Sequence, residues 1–144
     1  MFKGILLPVD LDTESSWRKA AAVAVDLCQK YGCDLHVMTV VPSYGMSIVG
    51  SFFPQGFEKK ALAAASESLH KFTAEHIPKG IDVQHIVAQG TVYQEIVKAR
   101  TDLGDAVDLI VLASHRPELE DYLLGPNAAR VLRHSKVSVL VVRE

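Results

Sequence analysis

Two stretches of this chain carry residues whose types and spacing could hold a ligand. The last third reads as strand, loop, helix and strand: Asp108-Leu-Ile-Val-Leu-Ala-Ser-His-Arg-Pro, then Tyr122-Leu-Leu-Gly-Pro-Asn-Ala-Ala-Arg-Val-Leu-Arg-His, then Val137-Ser-Val-Leu-Val-Val-Arg. An apolar run that stops at small and polar residues, followed by a Gly-Pro helix start, leaves backbone N–H groups and a helix dipole aimed at one point above the sheet edge. Such a point attracts phosphate. Near the amino end, Pro8-Val9-Asp10 closes the first apolar run, and the Asp10 carboxylate can accept from a ribose hydroxyl or an exocyclic amine. Spacing leaves a second role open, in which Asp10 caps or orients the first loop.

Other chemistries find less support. His36, His70, His76, His85 and His134 share no i, i+4 or strand-pair pattern, so packing or surface roles are expected rather than metal ligation. Ser114 and His115 beside Asp10 do not read as a hydrolytic triad. No Gly-x-Ser-x-Gly surrounds the serine, and adjacent residues point to opposite sides of an extended chain. No Gly-x-x-x-x-Gly-Lys-Ser/Thr occurs, nor a Ser-Gly-Gly-x-Asp-Ser loop after the first strand. Turnover would need a base, an attacking water and metal ligands, and the carboxylates available are Asp10 and Asp12. These residues offer binding more readily than catalysis. Cys28 and Cys33, five apart, match neither a redox CxxC nor a zinc spacing and read as two reduced, packed thiols.

The elements that must position these residues follow from apolar patterning. Five strand-like runs alternate with four helix-like stretches, the sign of a doubly wound α/β fold with a parallel sheet covered on both faces. Strands are expected over about Lys3–Val9, Asp34–Val41, Ile81–Ala88, Ala106–Ala113 and Val137–Val142, the third a half-exposed edge. The first helix, capped by Asp12 or Thr13, carries Trp17, Ala20, Ala21, Ala24, Leu27, Cys28 and Tyr31 on one face and stops at Gly32. A second spans about Phe57–His76, with Ala61, Leu62, Ala65, Leu69 and Phe72 opposite Glu58, Lys59, Glu67 and Lys71. Thr91-Val-Tyr-Gln94 has the pattern of a capping box opening a third. Ser43–Gly56 is too long and irregular for a simple connection and reads as a lid or partner-facing segment.

At 144 residues and 49% hydrophobic content, the chain suits one domain over 1–144 with a core that folds unaided. A formal charge of -2 without Lys/Arg blocks gives no footprint for nucleic acid. No apolar run approaches the roughly 20 residues of a membrane helix, and no signal-like start is present, so the default location is cytoplasmic.

The spaced motifs resemble the universal stress protein family. Its carboxy-terminal signature is a Gly-Ser/Thr-His-Gly loop, a Leu-Leu-Leu-Gly-Ser helix start and a Pro-Val-Leu-Val-Val strand. Ser114-His-Arg-Pro and Tyr122-Leu-Leu-Gly-x-Asn-Ala-Ala are most similar to the F/G-type small stress proteins, and Ile5-Leu-Leu-Pro-Val-Asp and Val37-Met-Thr-Val-Val-Pro fit in order. The resemblance implies a five-stranded Rossmann-like sheet of order 3-2-1-4-5, with a crevice between strands one and four where the order reverses. It implies an adenine nucleotide (ATP, AMP or ADP, with or without Mg2+) lying along Pro8, Val9 and Asp10, its base read by backbone near Val9 and Val40. Its phosphates would face Ala113, Ser114, His115, Arg116, Gly125, Pro126 and Asn127.

This chain departs from the family pattern in that loop. Ala113 and Arg116 stand where glycines are usual, Pro126 replaces a Ser or Thr, and eight residues instead of nine separate Arg116 from Gly125. The cradle loses backbone and hydroxyl donors, which the Arg116 guanidinium and Asn127 amide could replace, while Pro126 suits a first helical position. The resemblance also implies a homodimer through the last strand, Val137 to Val142. Two roles follow: a stress-response regulator acting through nucleotide-dependent conformation or assembly, or a nucleotide-independent homodimeric interaction module of the same fold.

Overall fold

In the computed structural model, residues 1–41, 56–114 and 126–143 are described. Five parallel strands, β1 (Gly4–Pro8), β2 (Asp34–Val41), β3 (Val83–Gln89), β4 (Leu109–Ser114) and β5 (Ser138–Arg143), form one sheet in the order β3-β2-β1-β4-β5. Helices α1 (Arg18–Tyr31), α2 (Phe57–His76), α3 (Val92–Leu103) and α4 (Pro126–His134) connect them. This is the doubly wound α/β arrangement expected, with strand order reversing beside β1.

Alternation along the central strands divides the core in two. Ile5, Leu7, Leu35, Val37, Leu109 and Val111 point to the face covered by α1 and α2, where Ala20, Ala24, Cys28, Leu69 and Phe72 meet them. Leu6, Met38, Ile110 and Leu112 point to the other face, against Ile96 of α3 and Ala128 and Val131 of α4. The stripe read from sequence on α1 contains all of that helix's buried residues, while on α2 Leu69 and Phe72 of the stripe are buried, together with Thr73, and Ala61, Leu62 and Ala65 are half-buried. Gly32 ends α1 in the left-handed conformation, φ 66°.

Several details differ from the sequence reading. Neither Asp12 nor Thr13 caps a helix with its side chain. Instead a 3-10 turn, Glu14–Ser16, precedes α1, because the Asp12 N–H and the Thr13 hydroxyl both donate to the Asp10 carboxylate. Thr91 does stand before α3, but the capping box does not close, since the Gln94 amide donates to the Tyr93 hydroxyl 3.2 Å away. At the start of β4, residues Gly104–Ala106 form a 3-10 turn rather than strand. The Asp108 carboxylate accepts there from the N–H groups of Lys3 and Gly4, and a Cβ at Gly4 would collide with the Ala106 carbonyl. Finally, β3 is the edge strand expected, but its residues are half-buried without alternation, Gln84 alone being exposed. Val83 and Val87 pack into one core and Ile86 and Ala88 into the other, because helices cover both of its faces.

Candidate functional site

Strands β1 and β4 separate toward their carboxyl ends. Strands β1 and β4 pair only at Ile5 with Leu109 and Leu6 with Ile110, after which β4 runs four more residues, to Ser114, paired with β5 alone. On the other side, the last hydrogen bond from the end of β1 to β2 among the described residues is Val9 N–H to the Met38 carbonyl, 2.8 Å. A crevice therefore opens where strand order reverses, the usual ligand position in such sheets.

Backbone groups at its β2 side are exposed to hydrogen bonding by the ladder itself. The Leu35 N–H donates to Asp82 and the Val41 carbonyl accepts from Gly90, so odd-numbered residues of β2 turn toward β3. Even-numbered ones turn toward β1, as Met38 does. Val40 is the next in that series, and the following rung, Val40 N–H to the Val9 carbonyl, is not made among the described residues. An N–H and two carbonyls are thus left at the crevice wall, beside the half-buried Pro8 and the buried Val9 side chain.

Asp10 sits at the mouth and is exposed. Its Oδ1 accepts from Asp12 N–H at 3.1 Å, and its Oδ2 from the Thr13 hydroxyl at 3.2 Å. Ser16 completes the loop, its Oγ accepting from Asp10 N–H at 3.0 Å and donating to the Asp10 carbonyl at 2.9 Å. Asp10 orients the first loop, one of the two roles its spacing left open. Each carboxylate oxygen has a second lone pair for a ligand donor. Sequence reasoning missed Ser16, whose signal is weak: an Asp-x-Asp-Thr turn with a serine six residues on.

On the β4 side, Ala113 and Ser114 end the strand half-buried, opposite Val142 and Arg143 of β5. Pro126 is the first residue of α4, the position its fixed φ suits, and Asn127 follows it, exposed. His115, Arg116 and Gly125 lie outside the described residues, as does 43–55 of the segment read as a lid. Gln89, also missed, ends β3 with its amide Nε2 buried and unpartnered. The sequence reading stopped that strand one residue earlier.

The remaining polar groups pack as elements of structure. His70 and His85 stack at 3.7 Å, and His85 Nε2 is 2.7 Å from the Thr73 hydroxyl; burial, then the neighbouring His70, pushes His85 below its ordinary range. His76 lies against Trp17 and Phe72, and His134 against Tyr93. His36 is 6% exposed with neither ring nitrogen partnered, and burial holds its pKa below 6.5, opposed by Asp34. Cys28 and Cys33 are buried and unbridged, Sγ atoms 3.4 Å apart. Burial, with the Cys33 thiol second, pushes Cys28 from 9.0 up to about 12, so it is a packed thiol rather than a nucleophile. Among the described residues no three His, Cys, Asp or Glu side chains group to hold a metal, and no helix is long and apolar enough to cross a membrane.

Sheet order, two-faced core and carboxyl-edge crevice define a Rossmann-like α/β protein of the doubly wound class. The model of the universal stress protein family matches residues 1–143, and the chain belongs to that family. Universal stress protein G of Shigella flexneri is 30% identical over 145 residues, covering 99% of this chain and all of that one. The solved structure of protein MJ0577, from Methanocaldococcus jannaschii, superposes with a TM-score of 0.73 at 26% identity, over 100% of this chain and 97% of that one. A universal stress protein solved in complex with cAMP superposes with a TM-score of 0.63 at 22% identity, over 99% and 97%.

Proposed function

We propose that this chain binds an adenine nucleotide in the β1/β4 crevice and acts in the stress response through nucleotide-dependent conformation or assembly. The observation that carries this reading is the backbone edge at the crevice wall. The Val40 N–H and the Val9 and Val40 carbonyls offer a donor and acceptors to a flat base without any side chain. Asp10 supplies acceptors for ribose hydroxyls, and the amino end of α4, with Asn127, gives phosphate a positive dipole. The fold relative in complex with cAMP supports an adenine nucleotide as the ligand class. If Mg2+ accompanies ATP, Asp10 and Asp12 would hold it from the protein side, since that ion keeps most of its ligands as water and phosphate oxygens.

Identification of nucleotide released on denaturation, together with ATP calorimetry on the purified protein, tests the proposal. Equimolar adenine nucleotide, or saturable binding of added ATP, is expected. Neither would leave the second reading, a homodimeric interaction module. That reading has its own observation in β5, which pairs only with β4 among the described residues and leaves Leu140 39% exposed.

A further inference from the structure

We infer that a second site, for a phosphate-class oxyanion, lies at the amino edge of the sheet between the last turns of α3 and α4. A cavity of about 30 Å³ opens there, lined by Arg100, Thr101, Ile110, His134, Ser135 and Lys136 among others. Ile110 is near the start of β4, and Ser135 and Lys136 directly precede β5, so the cavity is at the opposite end of the strands from the β1/β4 crevice. It exceeds the roughly 10–15 Å³ that one water needs, so an oxyanion sits in its mouth with part of its oxygen shell inside.

Charge and hydrogen bonding agree on the sign of the ligand. The whole chain has formal charge -2, yet this lining carries an arginine, a lysine and a histidine and no carboxylate. Arg100 Nε is buried without a hydrogen-bond partner, a state that has a cost unless an acceptor arrives. Basic residues at helix carboxyl ends often serve the helix dipole. Here carbonyls of those ends are met by backbone instead: Gly104 N–H donates to Arg100 and Thr101 carbonyls, and Ser135 N–H to that of Val131. The Ser135 hydroxyl is occupied by Val137, and the Thr101 hydroxyl donates to the Val97 carbonyl, which leaves the cations as the groups for a ligand. His134 is held at the rim by Tyr93, whose ring also lies 5.1 Å from the Arg130 guanidinium. Guanidinium with an adjacent ammonium is the pairing that recognises phosphate oxygens.

The test is titration of the intact protein with inorganic phosphate at constant ionic strength, following backbone amides and the Arg100 Nε–H by NMR. Saturable shifts at Arg100, Ser135 and Lys136 are expected, lost in Arg100→Gln and weakened about tenfold in the exposed Lys136→Gln. A parallel titration with AMP distinguishes free phosphate from a phosphate monoester: a response to phosphate alone supports the first, one at least as strong to AMP the second. Shifts that do not saturate, that chloride reproduces, or that keep their midpoint in both variants would overturn the inference.

Discussion

Asp10 holds its own loop together, and two substitutions separate that work from ligand binding. Asp10→Ala removes acceptors for the Asp12 N–H and the Thr13 hydroxyl, so a stability loss of about 1 kcal/mol accompanies any loss of affinity. Asp10→Asn keeps an oxygen toward Asp12 and discards the charge. Its melting temperature should stay near wild type while ATP affinity falls about tenfold or more by calorimetry, equivalent to about 1.5–3 kcal/mol. Unchanged affinity in Asp10→Asn would confine the residue to its loop. His36 makes a second prediction at this scale. Its folded pKa lies below 6.5, so the unfolded chain binds the proton more readily and stability falls as pH drops from 6.5 through the folded value. Asp34 is the charged group that opposes this shift, and His85, lowered by burial and then by His70, adds a slope of the same sign. His36→Leu removes two unpartnered ring nitrogens and should add about 1 kcal/mol at about pH 8 and more at about pH 5, in urea melts. An equal gain at both pH values would contradict the assignment. Loop orientation by Asp10 was one of the two roles its spacing left open, but its partners were not legible in the sequence, and neither was the state of His36. An Asx-type loop is a property of where Asp12 and Thr13 return in space, and a lone histidine in an apolar strand carries no mark of being unpartnered.

Elements were more legible than side-chain roles, for reasons visible at particular positions. Strand β2 and helix α2 have the spans read from sequence because Pro42 ends one run and Pro78 and Gly80 follow the other. The turns Glu14–Ser16 and Gly104–Ala106 were missed because each is determined by a carboxylate elsewhere or by a close strand approach rather than by its own residue types. Strand β5 carries two apolar positions with different surroundings. Val139 packs into the core beneath α3 and α4, so an aspartate there would unfold the edge as well as block any pairing. Leu140 faces outward, 39% exposed. If β5 pairs with its twin, Leu140→Asp should convert a dimer to a folded monomer in sedimentation at micromolar concentration, with melting lowered only by the lost partner. A monomeric wild type would remove the dimer from the proposed function.

At the scale of the whole molecule, the sheet has two chemically different rims. The described part of the carboxyl rim presents backbone edges and the Asp10 carboxylate; the amino rim carries the Asp108 carboxylate and, around a small cavity, Arg100, His134 and Lys136. Family membership was legible because several spaced motifs, from Ile5-Leu-Leu-Pro-Val-Asp to Tyr122-Leu-Leu-Gly, follow one another in order along the whole chain. The amino-rim cluster was not, since Arg100, His134 and Lys136 come from two helix ends and share no local pattern.

The brief pairing of β1 with β4 makes the domain resemble a book with a short spine. At the amino end the covers are bound, by Ile5 with Leu109, Leu6 with Ile110, and the Asp108 carboxylate clasping the N–H groups of Lys3 and Gly4. Toward the carboxyl end no described backbone pairing joins β1 to β4 across the gap, and the two leaves are held together there by side chains packed under α1. A molecule laid there, touching Val40 on one leaf and α4 beyond the other, would act as a clasp on the open side. Amide exchange should then slow on both leaves together when ATP is added, most at Val40 and Ala113, and Asp108→Ala should speed exchange along the spine whether or not nucleotide is present. Protection confined to one leaf would mean that the two open independently and that nucleotide reads only half of the book.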